Sequence, residues 1–179
     1  GLFISFEGAE CSGKSTQIKK LKDFLIKKKL PFKITREPGG TNISEKLRKI
    51  ILSNELNISS TEEILLLMAA RYNHLNNIII PSLNKGKIVI SDRFADSTFV
   101  YQGYVNKYGL NKCINLHKTI LNNFLPKKTF LFMIDPKEVL QRLKNRNHRN
   151  KYDKIDISFH RKVIAGYKKL SKNRNRFII

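Results

Sequence analysis

The sequence has little of what marks secreted, membrane-embedded or disulfide-bonded proteins. Only two cysteines occur, Cys11 and Cys113, which are too few for a disulfide framework and are not spaced as metal ligands. No apolar run approaches the roughly 20 residues that cross a bilayer, and no basic region followed by a cleavable apolar segment opens the sequence. We therefore expect a cytoplasmic protein without a membrane partner.

Histidine is also scarce and shows no chemical pattern. The four histidines have neither the spacing of metal ligands nor the company of a catalytic serine or cysteine. No chemistry is assigned to them. They are His74, His117, His148 and His160.

Acidic residues are few, since 14 Asp and Glu stand against 35 Lys and Arg, and the formal charge is +21. A clustered charge of this size would predict binding to a polyphosphate backbone. Here the lysines are spread over most predicted helices, which favours a compositional bias of the whole chain. No specific nucleic-acid partner is predicted, although anionic nucleotides would benefit from the positive field.

The rest of the chain is organised around residues 8–16, which follow an apolar run and precede a lysine-rich helix. Their spacing fits G-x-x-x-x-G-K-[ST], in which glycines let backbone N–H groups turn toward phosphate oxygens. Lys14 would reach the β- and γ-phosphates, and the Ser15 hydroxyl would ligate Mg²⁺. An ordinary glycine turn is the alternative. The predicted phosphate-binding residues are Gly8, Ala9, Glu10, Cys11, Ser12, Gly13, Lys14, Ser15 and Thr16.

Apolar runs alternate with amphipathic segments, which predicts an α/β fold in a single domain spanning residues 1–179. The fold is expected to be a three-layer, doubly wound parallel sheet of five strands, the last truncated, surrounded by helices. Pro81 is expected to kink or shorten the last turn of its helix. Strands are predicted at residues 2–7, 32–35, 87–91, 129–134 and from 177 on. Helices are predicted at 14–29, 44–52, 61–84, 110–125, from 135 on up to the basic run, and at 156–172.

Polar groups follow two of the predicted strands, at the edge where open α/β sheets bind ligands. The loop at residues 36–41 follows the second strand, and Asp92 and Arg93 follow the third. Asp92 could complete a magnesium shell, often through water, and Arg93 offers a planar fork for a second phosphate. An Asp–Arg pair that only caps a helix is the alternative.

Two helical segments add polar side chains. Arg71 lies beside small and apolar residues, so it needs an acceptor; taken alone it indicates a snorkelling or salt-bridged arginine, and ligand contact is the other hypothesis. The second segment could line one side of a pocket or form a solvated helix face. Its polar residues are Ser97, Thr98, Tyr101 and Gln102.

Residues 144–155 are polar and strongly basic, which predicts a lid. Basic side chains that fold over a transferring phosphoryl group neutralise charge and limit wasteful hydrolysis. Without a phosphate-binding loop elsewhere in the chain, the same run would be interpreted as a solvated charged surface.

These segments together resemble bacterial thymidylate kinases, in the family's order from Leu2 to Ile179. The most discriminating are the Arg-Glu-Pro-Gly-Gly-Thr loop and the Asp-Arg pair after the third strand. The resemblance implies transfer of the ATP γ-phosphate to the 5′-phosphate of dTMP, giving dTDP and ADP with Mg²⁺. The matching segments are residues 8–16, 35–41, 69–71, 92–94, 97–98, 101–103 and 159–160.

The resemblance also implies roles for individual residues. Glu10 would contact the deoxyribose 3′-hydroxyl, while Arg36 and Arg93 would clamp the dTMP phosphate. Arg71, Thr98 and Gln102 would contact the thymine. Because the phosphate loop contains no arginine, a lid arginine would neutralise charge, and Arg149 lies closest to the expected position. The predicted catalytic residues are Lys14, Arg36, Arg93, Arg149 and Lys151; those for dTMP are Glu10, Arg36, Pro38, Leu67, Arg71, Arg93, Ser97, Thr98, Tyr101 and Gln102; those for the metal are Ser15 and Asp92.

Three departures from the family pattern stand out. Leu67 replaces the usual phenylalanine stacked on thymine, which removes a stacking contribution on the order of 1 kcal/mol or more. Lys154 replaces an arginine and supplies charge without a bidentate fork, so Arg149, Lys151 and Arg146 are expected to share the work of the lid. Finally, the family continues past its fifth strand, so a C-terminal piece is expected to be absent here.

Three other interpretations stay open. One is a different nucleoside monophosphate kinase, with base choice altered at Leu67, and another is a catalytically inactive nucleotide-binding module. The third is a nucleic-acid-binding NTPase, which Arg93 argues against because a water-activating site expects a second carboxylate after Asp92. Family members pair as homodimers through helices, and the apolar residues 64–70 and the region near Phe99 are compatible with pairing.

Overall fold

A computed structural model describes residues 1–144, 156–172 and 174–179. Within them, five parallel strands form one sheet in the order β2-β3-β1-β4-β5. The predicted α/β class and five-stranded parallel sheet are confirmed, and the last strand is two residues long. The strands are β1 (Leu2–Gly8), β2 (Phe32–Arg36), β3 (Ile88–Asp92), β4 (Lys128–Phe132) and β5 (Phe177–Ile178).

Helices connect the strands and cover the sheet. Two stretches are π-helical, with the ladder widened by one residue per turn: Leu75–Ile79 and Phe99–Val105. In the described part of the chain no helix is long and apolar enough to span a bilayer. The α-helices are α1 (Lys14–Lys27), α2 (Asn42–Leu52), α3 (Ser60–His74), α4 (Ile80–Asn84), α5 (Ala95–Thr98), α6 (Leu110–Leu121), α7 (Pro136–Lys144) and α8 (Ile157–Ser171).

Apolar side chains fill both faces of the sheet, because successive side chains of a strand point to opposite faces. Phe3 and Val89 belong to the larger cluster, which extends to the helices on that side. Ile4 and Ile90, each one residue further along its strand, belong to the smaller cluster, which includes Ile18 of α1. The result is the predicted arrangement of helices on both sides of a central sheet.

The strand register brings the predicted site residues to one edge. Phe6 of β1 and Arg36 of β2 are both aligned with Asp92 of β3. Gly8, where the phosphate loop begins, is aligned with Phe132 at the end of β4. Since all the strands are parallel, the carboxyl ends of β1, β2 and β3 meet where the chain leaves the sheet.

The helix expected over residues 61–84 agrees with the structure in extent, because helical residues run without a break from Ser60 to Asn84. Its geometry changes at residues 75–79, which are π-helical and precede Pro81, whose missing N–H disrupts the ladder to the preceding turn. Two other predicted boundaries are wrong. The expected strand 129–134 ends at Phe132, since its partner β1 turns into the phosphate loop there. The expected helix 110–125 ends at Leu121 because Asn122 is left-handed, with φ 48°.

Helix α3 begins at Ser60, one residue before the predicted start, and opens with a capping box. The Ser59 hydroxyl accepts a hydrogen bond of 3.2 Å from the Glu62 N–H, and the Glu62 carboxylate accepts one of 2.7 Å from the Ser59 N–H. This reciprocal capping box satisfies two N–H groups that a helix start leaves unpaired. It fixes the register of the helix that carries Glu63, Leu67 and Arg71.

Candidate active site

The loop between β1 and α1 wraps around the Lys14 ammonium. Lys14 is buried, and its Nζ donates to the carbonyl oxygens of Gly8 at 3.2 Å and Ala9 at 2.7 Å, and to the Ser12 hydroxyl at 3.2 Å. Gly8 has φ +137°, and a Cβ there would collide with the Phe132 carbonyl oxygen. Burial, followed by repulsion from Arg93, lowers the pKa of Lys14 to about 8. The loop therefore holds the Lys14 ammonium against its own backbone carbonyls.

A cavity of about 410 Å³ opens beside this loop, at the carboxyl edge of the sheet. All the residues predicted to bind dTMP line it, and the predicted metal ligands Ser15 and Asp92 line it as well. Of the predicted phosphate-binding residues, Glu10, Cys11, Lys14 and Ser15 do so, while Thr16 lies exposed in the first turn of α1. Arg149 and Lys151, predicted to be catalytic, and Arg146 and Lys154 lie outside the described residues.

Arg93 joins the phosphate loop to the end of β3. Its Nη2 donates to Glu10 Oε1 at 2.9 Å, and its Nη1 donates to the Gly8 carbonyl and the Ser97 hydroxyl, each at 3.0 Å. Arg93 adopts φ 69°, a backbone conformation that is uncommon for residues other than glycine. These contacts hold the guanidinium at the wall of the cavity.

Glu10 is held as a carboxylate. Burial opposes its ionisation, but the charges of Arg93 and Lys14 and a hydrogen bond from Tyr101 keep its pKa below the usual value. The Tyr101 hydroxyl lies 2.8 Å from both Glu10 oxygens. An ionised carboxylate only accepts hydrogen bonds, so Glu10 can bind a hydroxyl that donates to it.

Arg71 is both salt-bridged and in contact with the cavity, so the two hypotheses for it are compatible. It is 2 % exposed. Its Nε donates to Glu37 Oε2 at 2.6 Å and its Nη2 to the Thr98 hydroxyl at 2.8 Å. Its Nη1 has no hydrogen-bond partner among the described residues. A buried donor without a partner is costly unless a ligand accepts its hydrogen bond.

The ion pair of Arg71 rests on a second layer of buried groups. His74 Nδ1 lies 3.0 Å from Glu37 Oε1, and its Nε2 lies 2.6 Å from the Thr35 hydroxyl. The Arg71 charge and the hydrogen bond with His74 outweigh burial and hold the pKa of Glu37 below its usual value. The peptide bond that follows Glu37 is cis. His74, to which no chemistry was assigned from sequence, thus helps to orient Glu37.

Arg48 is a cavity residue that the sequence analysis missed. Its Nη1 donates to the Pro38 carbonyl at 2.7 Å, and burial together with repulsion from Arg36 lowers its pKa. Arg36 itself is half exposed and its Nη2 lies 2.9 Å from Glu45 Oε2. Arg48 stands one helical turn before Ile51, which is buried, and this spacing is the signal that could have placed it on the inner face of α2.

Glu7 is a second missed residue, buried behind the cavity. It accepts hydrogen bonds from the Phe94 N–H at 2.7 Å, the Ser97 hydroxyl at 2.6 Å and the Tyr167 hydroxyl at 3.0 Å. Burial, and then the charge of Asp96, raise the pKa of Glu7 to about 7. Its place in an otherwise apolar strand was the sequence signal that could have identified Glu7 as a buried functional residue. Other cavity residues absent from the sequence prediction are Glu37, Ile51, Leu52 and Phe94.

The residues present fit a magnesium ion held largely by phosphates and water. Asp92 Oδ1 is buried without a hydrogen-bond partner among the described residues. The Ser15 side chain lines the same cavity. No cluster of three or more His, Cys, Asp or Glu ligands occurs in the described part of the chain. Mg²⁺ is commonly bound by one or two protein oxygens plus substrate phosphates, which this arrangement allows.

The parallel sheet, the phosphate loop and the arginine-lined cavity define a nucleotide-binding phosphotransferase. A sequence model described as "Thymidylate kinase" matches residues 6–179. Two of the relatives are the thymidylate kinases of Rickettsia africae, 44 % identical over 99 % of this chain and 85 % of that protein, and of Rickettsia canadensis, 45 % identical over the same shares. The chain belongs to the thymidylate kinase family.

A solved structure agrees with this assignment. The crystal structure of thymidylate kinase from Ehrlichia chaffeensis matches with a TM-score of 0.79 and 32 % sequence identity. The match covers 99 % of this chain and 90 % of that one. The family model and the structural match both cover nearly the whole chain, so the family assignment and the fold agree.

Proposed function

We propose that this protein transfers the γ-phosphoryl group of ATP to the 5′-phosphate of dTMP, forming dTDP and ADP. The carrying observation is one continuous cavity that connects Lys14 of the phosphate loop with Arg71 and Gln102 on the helices after β2 and β3. Donor and acceptor nucleotides need such neighbouring sites, because phosphoryl transfer depends on in-line positioning and charge neutralisation.

On the donor side, the backbone amides of the phosphate loop and the N-terminus of α1 bind the phosphates of ATP. Lys14 exchanges its contacts with the loop carbonyls for phosphate oxygens. Ser15 and Asp92 would hold Mg²⁺, the carboxylate directly or through water, and the ion would supply positive charge that neutralises the phosphates.

On the acceptor side, three arginines line one part of the cavity: Arg36, Arg48 and Arg93. Planar guanidinium forks suit a phosphate dianion, and their positive charge stabilises the charge that develops during transfer. The fixed contacts of Arg93 and Arg48 with backbone carbonyls support a site that is preorganised before the acceptor binds.

Sugar and base are bound further from the phosphate loop. Glu10, held by Arg93 and Tyr101, accepts a hydrogen bond from the deoxyribose 3′-hydroxyl. Arg71 donates from Nη1 to a thymine oxygen. Leu67, 7 % exposed, packs on the base without the stacking that an aromatic ring would add. Pro38, Ser97 and Thr98 complete the acceptor site.

The predicted lid residues Arg149 and Lys151 are proposed to neutralise charge on the transferring group, as the resemblance implies. One contact of the preceding helix supports this. Arg142, near the end of α7, donates from Nη1 to the Cys11 carbonyl at 3.0 Å. Helix α7 therefore leads toward the phosphate loop at the point where residues 144–155 begin.

We also propose a homodimer in the cytoplasm, where the nucleotide substrates are available. Leu65 and Tyr72 on α3 are each 54 % exposed, and both lie on the same side of the helix two turns apart. Ile64, Met68 and Arg71, each next to or near this pair in sequence, are buried on the adjacent face of the helix. A second copy of this chain would cover the exposed pair.

Leu65→Glu should give a monomer in light scattering, whereas a wild-type monomer at micromolar concentration would contradict the dimer.

A coupled assay of ADP release with ATP, Mg²⁺ and dTMP tests the proposed reaction. ADP release should require dTMP and should be abolished in Lys14→Ala, with Lys19→Ala, an exposed lysine of the same helix, as the matched control. ADP release stimulated by DNA or RNA and not by dTMP would contradict the proposal and favour a nucleic-acid-dependent NTPase. The family match and the cavity together do not favour that alternative.

A further inference from the structure

Glu63 and Gln102 form a buried pair between α3 and the π-helical segment Phe99–Val105. Gln102 Nε2 donates to Glu63 Oε1 at 2.7 Å. Glu63 is 4 % exposed and Gln102 is 3 % exposed, and Gln102 lines the acceptor cavity beside Arg71 and Leu67. Helical residues that depart from α-geometry are frequent at functional sites, because the widened turn re-aims a side chain.

The carboxylate decides which end of the Gln102 amide faces the cavity. A glutamine amide carries a donor nitrogen and an acceptor oxygen, and by itself it can present either. Glu63 Oε1 accepts its hydrogen bond from the NH₂ group. The carbonyl oxygen is then the group that Gln102 offers to a bound base.

An acceptor at this place distinguishes pyrimidines. Thymine and uracil carry a single donor on their pairing edge, the N3–H, next to the O4 acceptor. Cytosine instead carries an acceptor at N3 and a donor amino group at C4. The Arg71 Nη1 donor and the Gln102 acceptor therefore complement O4 and N3–H of thymine, while both clash electrostatically with cytosine.

We propose that Glu63 is a positioning residue that sets selectivity for thymine over cytosine by fixing the polarity of the Gln102 amide. The proposal rests on the function proposed above. Gln102 contacts the base, but in this proposal the selectivity depends on Glu63, which lies behind Gln102 and does not contact the base. Arg71, held separately by Glu37, keeps its own share of the selectivity.

The test compares kcat/KM for dTMP, dUMP and dCMP in the wild type and in Glu63→Gln. A neutral amide at position 63 can either donate or accept, so Gln102 can turn its NH₂ toward cytosine N3. The dTMP to dCMP ratio should fall by about tenfold or more. The dTMP to dUMP ratio should not change, because the two bases share the same pairing edge. Glu55→Gln, the same change at an exposed position between α2 and α3, should change neither ratio.

An unchanged dTMP to dCMP ratio in Glu63→Gln would overturn the proposal, whether kcat/KM itself is unchanged or falls equally with all three substrates, which indicates a packing role. Folding of each variant is checked by circular dichroism. If Glu63→Gln does not fold, Glu63→Ala releases the amide as well, with the same expected and contradicting results. Failure of the proposed function is separate, since it would appear as a wild-type enzyme that does not prefer dTMP.

Discussion

The Arg93 guanidinium lies 2.9 Å from the Glu10 carboxylate, so the end of β3 and the phosphate loop meet in one ion pair. Both residues line the acceptor cavity. In the proposed function this contact joins the donor and acceptor sites, and replacing either Arg93 or Glu10 would break it. Charged groups that are fixed before the substrate binds stabilise a transition state most strongly where water is excluded.

Arg93→Ala should lower kcat with dTMP by at least about 100-fold, since one charged donor to the acceptor phosphate is lost. The Kd for ATP should change little, because the phosphate loop keeps its backbone amides. Stopped-flow turnover and equilibrium ATP binding measure the two effects. Arg93→Lys keeps the charge without the fork and should recover only part of the rate. An unchanged rate in Arg93→Ala would remove this residue from the acceptor site.

Arg48→Ala should raise the KM for dTMP by roughly tenfold, since one of three arginines around the acceptor phosphate is lost. The KM for ATP should stay the same. Lys46→Ala, on the exposed side of the same helix, is the matched control and should leave both constants unchanged. Equal increases in both KM values would indicate that α2 has shifted, and would count against direct phosphate contact.

Glu37→Gln should destabilise the fold by about 3 kcal/mol at pH 7, because Arg71 would be left as a buried charge without its partner. The folded-state pKa of Glu37 is lowered, so its contribution to stability is fully present above the unfolded value of 4.5, declines below that value and is lost as pH falls through the folded-state pKa. Urea denaturation at pH 7 and pH 4 should show the difference between wild type and variant shrinking in acid. A pH-independent difference, or none, would contradict a charged Glu37, and Glu55→Gln serves as the exposed control.

Arg149→Ala should lower kcat sharply, by about 100-fold or more, if this residue neutralises the transferring phosphoryl group. Single-turnover measurements separate this step from product release. Arg161→Ala, at an exposed position of α8, provides the control. A mild effect of Arg149→Ala would transfer the role to Lys151 or Arg146, which can be replaced in the same way.

Local sequence signals were sufficient for the phosphate loop and the central strands. The conformation of residues 8–16 is determined locally, since the glycines and the helix start lie within a few residues of one another. The apolar runs around Ile4 and Val89 could only be buried on two faces, and this predicted the layered sheet. The ends of strands and helices were harder to predict. Strand β4 ends at Phe132 because its partner β1 ends there, and α6 ends at Leu121 because Asn122 and Asn123 are left-handed.

The remaining site residues depend on contacts between distant parts of the chain. Arg71 could be judged only with Glu37, which lies 34 residues earlier and holds one side of its guanidinium. Arg48 was missed because the packing of α2 against α3 decides which face of α2 meets the cavity. The Glu63–Gln102 pair depends on a π-helical turn that side-chain periodicity does not reveal.

The most direct test of the central claim is a competition among nucleoside monophosphates. Wild-type enzyme is incubated with ATP, Mg²⁺ and an equimolar mixture of dTMP, dCMP, dGMP and dAMP, and the diphosphates formed at low conversion are separated by chromatography. We predict that dTDP forms first and in large excess, with an equal amount of ADP. Earlier formation of any other diphosphate, or ADP without a diphosphate product, would contradict the assignment.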